Sequence, residues 1–72
     1  MPTMTEALSE IGYMHKALDE AIKWSNQADG TLKALPRGGP LSHDLYCVHL
    51  TLLAAREQVT SVMRRADHHS RP

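Results

Sequence analysis

A single cysteine, Cys47, stands in 72 residues, so no disulfide can close within the chain, and no Cys/His spacing matches a zinc finger. Charge of one sign is also missing: eight Lys plus Arg balance eight Asp plus Glu. A basic surplus is the usual footprint of a nucleic-acid binder. Without net charge, no global field draws the chain to polyanions or to an anionic membrane. The apolar residues are interrupted by charge throughout, so the run of about twenty that a membrane-spanning helix needs does not occur. Met1-Pro2-Thr3-Met4-Thr5-Glu6 has neither the basic region nor the apolar core of a signal peptide, and the expected compartment is the cytoplasm. A chain this short builds only a thin core. With disulfide and zinc staples set aside, oligomerisation is the remaining common source of stability.

What the sequence does have is helical periodicity. Ile11, Met14, Leu18, Ala21, Ser25, Ala28, Leu32 and Leu35 step by alternating threes and fours, and so do Leu41, Leu45, Val48, Leu52, Ala55, Val59, Val62 and Ala66. This spacing holds side chains on one stripe of a helix. Folded back near residue 38, the two stripes pair 35 with 41, 28 with 48, 25 with 52, 21 with 55, 14 with 62 and 11 with 66, without a skip. The expected fold is all-α: an antiparallel two-helix hairpin that dimerises into a four-helix bundle.

The boundaries follow from local chemistry. Thr3 and Glu6 form a capping-box pattern, which places the start of the first helix at residue 4. Pro36 ends it after residue 35. Gly30 weakens the interior by about 1 kcal/mol relative to alanine, yet Leu32 and Leu35 keep the phase, so the helix is expected to continue through it. Pro36-Arg37-Gly38-Gly39-Pro40 is the loop. The second helix is expected over 41–66, with a flexible polar tail over 67–72.

The second helix also carries Tyr46, Leu50, Leu53 and Ala54 on a side away from the stripe, and Ile22 and Trp24 flank the first stripe. A helix apolar around most of its circumference is usually buried. These six residues are therefore the expected subunit interface, with a second copy as the simplest occupant. The expected function is a non-enzymatic protein–protein interaction or regulatory module.

Two other classes stand beside it. His43 and Cys47, four apart on one helix, could donate two ligands to a metal or small-molecule site in a bundle. Arg56, Arg64, Arg65 and Arg71 could make a local basic stripe touching nucleic acid, although aromatic interleaving is lacking. Cys47 with His43 has no oxyanion cradle or third group, so no catalytic residue is assigned. No cofactor is expected, since neither a phosphate loop nor paired Glu-x-x-His motifs occur. His15 with Asp19 reads as an oriented surface hydrogen bond, and His49 as a satisfied interface histidine.

Overall fold

Thr3 opens the first helix. Its backbone is extended (φ −119°, ψ 162°) and its hydroxyl accepts a 3.1 Å hydrogen bond from the Glu6 N–H, which satisfies an orphan donor of the first turn. The computed structural model describes residues 1–70 and contains α1 (Met4–Ala34) and α2 (Gly39–Ser70), packed against each other as a hairpin. The molecule is a rod of 57 × 16 × 15 Å. α1 passes through Gly30 without a break. The stretch expected to be a tail is helical to Ser70, because no residue from Asp67 to Ser70 breaks a helix. His68 and His69 fall in the last turn, where the helix dipole favours positive charge. Residues 71 and 72, part of that expected tail and of the basic stripe, lie outside the described residues.

The turn is tighter than the five-residue loop read from the sequence. Leu35, extended ahead of Pro36 as a pre-proline residue prefers, donates its N–H to the Leu32 carbonyl at 3.1 Å. Gly38 donates to the Leu35 carbonyl at 3.1 Å, and Ser42 donates to the Gly38 carbonyl at 2.8 Å. The last bond starts α2, so Pro40 occupies the first turn, where its missing N–H leaves no gap in the helical ladder. Gly38 is buried, and a Cβ there would fall on the Leu32 carbonyl. Only glycine fits.

The helices meet on a different stripe from the one expected. Five of the eight residues of each ladder are buried or half-buried: Ile11, Leu18, Ala21, Ser25 and Leu32 on α1 and Leu45, Leu52, Ala55, Val59 and Ala66 on α2. Met14, Ala28, Leu35, Leu41, Val48 and Val62 are exposed instead. Their places at the seam are taken by Leu8, His15, Ile22 and Asp29 on α1 and by Ser42, His49, Arg56 and Met63 on α2, which are buried or half-buried. Each helix is rotated about its axis relative to the expected phase. The register moves as well. Ser25, expected opposite Leu52, bonds His49, nearly one turn away. The physical cause is polar pairing. Ser42 and His49 on α2 find hydrogen-bond partners in Asp29 and Ser25 across the seam, and such groups are costly to enclose without them.

The resulting core is thin. Among the described residues, Ile22 at 8% exposure is the buried hydrophobic residue, Ser25 and Ser42 are the buried polar ones, and no side chain is fully enclosed.

Two glycine substitutions test this geometry. Nothing lies within 4 Å of a Cβ at Gly30, so Gly30→Ala should stabilise the helix by up to about 1 kcal/mol. Gly38→Ala should lower the melting temperature, because the added methyl displaces the Leu32 carbonyl. Thermal melts followed by circular dichroism distinguish the two, and a tolerated Gly38→Ala would refute the tight turn.

Candidate functional site

A 4-3 spacing organises the seam: 8, 11, 15, 18, 22, 25, 29 and 32 on α1, and 42, 45, 49, 52, 56, 59, 63 and 66 on α2. In α1 these are heptad positions a and d, with Leu8 at a, and in α2 likewise with Ser42 at a. Several layers of this seam are polar. Near the turn, Ser42 donates its hydroxyl proton to the Asp29 carboxylate, which also pairs with Lys33 at 2.9 Å. At mid-length, Ser25 Oγ and His49 Nδ1 lie 3.1 Å apart. Nearer the termini, His15 Nε2 lies 3.1 Å from Thr60 Oγ1. Thr60 gives its proton to the Arg56 carbonyl at 2.9 Å, so His15 must donate through Nε2. Asp19 is held by Arg56 Nη1 at 3.0 Å, with His15 Nδ1 at 3.6 Å. His15 and Asp19 thus each bond across the hairpin, to Thr60 and Arg56, while at 3.6 Å the expected hydrogen bond between the two is not made, and His49 is a satisfied histidine inside the hairpin.

The residues expected to form one interface do not lie together. Ile22 is enclosed in the hairpin and is unavailable to a partner, because the rotation of α1 turns it onto the seam. Trp24 is exposed beside Ala28, Thr31, Leu32 and Leu45. Tyr46 lies on the opposite flank, with Asn26, Asp29 and Lys33. Leu50 is exposed on that side of α2, Leu53 is half-buried and Ala54 is exposed. His43 and Cys47 are both exposed, and among the described residues no group of three His, Cys, Asp or Glu side chains is placed to hold a metal ion. No described helix is long and apolar enough to cross a membrane.

The two flanks of the rod differ in character. One is mixed: Asp29, Lys33 and His49 lie beside Tyr46 toward the turn, and His15, Arg64 and Asp67 lie beside Leu8 and Met63 toward the termini. The other carries the heptad g positions of both helices: Met14, Ala21, Ala28 and Leu35 beside Leu41, Val48, Ala55 and Val62. Three open depressions follow one another along it. Ile11, Met14, Ala55, Gln58, Val59 and Val62 line the first. The second lies between Trp24, Ala28 and Leu45, and the third between Leu32, Leu35 and Leu41. The first two contain no charged residue. Met14 is 55% and Val48 51% exposed, so large apolar side chains meet water along the whole flank. The sequence ladder had found these residues and assigned them to the hairpin interior. Met14, Ala28, Leu35, Leu41, Val48 and Val62 lie outside the hairpin instead, with Ala21 and Ala55 half-buried between them, and they form the more coherent surface.

In comparisons with known proteins, no family model, no curated protein and no solved structure matches this chain.

The polar seam makes a prediction of its own. The hydrogen bond from Ser42, followed by Lys33, holds the Asp29 carboxyl below its ordinary value. A carboxyl depressed in the folded state contributes stability above its unfolded value of about 3.9, and that contribution fades as pH falls through the folded value. Asp29→Ala should therefore flatten the fall of melting temperature below about pH 4, measured against wild type in parallel acid titrations. An unchanged acid slope would count against the Ser42–Asp29–Lys33 cluster.

Proposed function

We propose that this chain is a non-enzymatic protein–protein interaction or regulatory module whose working form is a homodimeric four-helix bundle, assembled through the flank of Met14, Ala28, Val48 and Val62. The observation that carries this reading is the apolar flank contributed by both helices, whose first two depressions hold no charged residue. Isolated surface hydrophobes are ordinary, whereas a contiguous stripe marks an interaction surface. Area supports it. The hairpin exposes 5775 Å², against about 4,400 Å² for a compact monomer of 8.0 kDa. The surplus exceeds the roughly 800 Å² that each partner buries in a standard interface. A core with one buried hydrophobic residue among those described also calls for an external staple, which association would supply.

The Tyr46–Leu50–Leu53 stripe is the weaker surface, because charged and polar residues of α1 and of the Asp19–Arg56 pair lie beside it.

A pair of charge insertions decides between the flanks. Val48→Glu places an unpaired carboxylate in the proposed interface, where burial is costly. That variant should dissociate or unfold, while Leu50→Glu keeps the wild-type mass by light scattering. The wild-type melting temperature should rise with protein concentration, as it does for a dimer that folds on association. The opposite pattern would move the interface to the Tyr46 side, and a wild-type mass of one chain would end the dimer reading.

A further inference from the structure

We infer that the second copy docks antiparallel, about a two-fold axis perpendicular to the helices at the level of Ala21 and Ala55, with α1 on the partner's α1 and α2 on the partner's α2. This inference rests on the homodimeric reading and specifies its geometry. Stacking two hairpins by this flank leaves two symmetric choices. An axis along the rod lays α1 on the partner's α2, and an axis across it lays each helix on its own copy.

Side-chain size separates them. With the axis along the rod, Met14 meets the partner's Val62 and Leu35 meets the partner's Leu41, large on large at both ends. Ala21 then meets the partner's Ala55, small on small, which leaves a void between them. Interfaces of stable oligomers pack to interior density, so this arrangement is disfavoured. With the axis across the rod, Ala21 and Ala55 each meet their own copies, where small side chains let the backbones approach closely. Met14 then lies over the partner's Ala28, seven residues from the axis in each case. Trp24, three residues beyond the axis, comes over the partner's Ala17, four residues before it. The largest side chains on α1 thus meet alanines, and on α2 the moderate-sized Val48 meets the partner's Val62, seven residues from the axis in each case.

Charge agrees with size. Asp44 and Arg65 occupy the same edge of the flank, eleven residues before Ala55 and ten after it, and both are exposed. The crosswise axis brings Asp44 of one copy to the partner's Arg65, and this happens twice by symmetry. Among the described residues neither side chain has an ion-pair partner within its own hairpin.

The test uses cysteines in the full-length chain with Cys47→Ser as background. A residue on a two-fold axis meets itself, and a disulfide forms only where Cα atoms come within about 7 Å. Ala21→Cys and Ala55→Cys, each alone, should oxidise to covalent dimers on non-reducing gels, while Met14→Cys alone should not. If the wild type is a dimer by light scattering and neither axial variant crosslinks, this arrangement is wrong though the dimer stands. If the wild type is a monomer, the homodimeric reading fails with it. A second measurement avoids cysteine. Residues 44 and 65 are about 31 Å apart along one helix, too far to couple within a chain. Asp44→Arg should weaken the dimer, and adding Arg65→Asp should restore its dissociation constant toward wild type. Additive losses would overturn the crosswise pairing.

Discussion

The hydrogen bond between Ser25 and His49 lies near the middle of the rod, and the phase of both helices is tied to it. A serine and a histidine at seam positions must be enclosed together or not at all, since either alone would lose water without a replacement. Once they pair, the heptad spacing brings Ser42 to Asp29, and His15 reaches Thr60 at the edge of the seam. Each of these bonds is modest in net worth, roughly 1 kcal/mol. Together they specify which stripe of each helix faces inward. The apolar contribution to that choice is small, because Ile22 is the one hydrophobic residue buried among those described.

A polar seam has a consequence for the surface. Apolar side chains that a better-packed hairpin would enclose are displaced onto one flank, and charged side chains collect on the other. The exposed Met14, Val48 and Val62 and the polar Asp29–Lys33 side belong to a single rotation of the helices. In the proposed dimer, recognition and stability are therefore coupled. The core is thin because apolar side chains such as Met14, Val48 and Val62 face outward, and in the proposed dimer a second copy covers them.

The turn plays a supporting part. Gly38 lets the two backbones approach at Leu32, and Leu35 leaves the helix in the extended conformation that Pro36 prefers. Together they start α2 so that Leu41 and Leu35 border one depression on the apolar flank. A longer or looser connection would shift α2 along α1 and move every hydrogen bond in the seam out of register.

The sequence by itself determined that the chain is two long helices joined near residue 38, because capping residues, proline and 3.6-residue periodicity act locally. It also placed Thr3, Pro36 and the glycines in their roles, and the passage through Gly30 was legible from the unbroken phase of Leu32 and Leu35. It did not determine which side of each helix turns inward. Two adjacent stripes, d with g and a with d, share the d residues and differ by a modest rotation, and the d–g stripe is the more apolar. Hydropathy alone selects it. The a–d stripe prevails in the tertiary structure because Ser42, His49 and His15 find hydrogen-bond partners across the seam, and partnership between residues as distant as 15 and 60 has no local signature. The candidate surface was accordingly half legible: its residues were recognisable as a stripe, but only the packed hairpin made them an exterior.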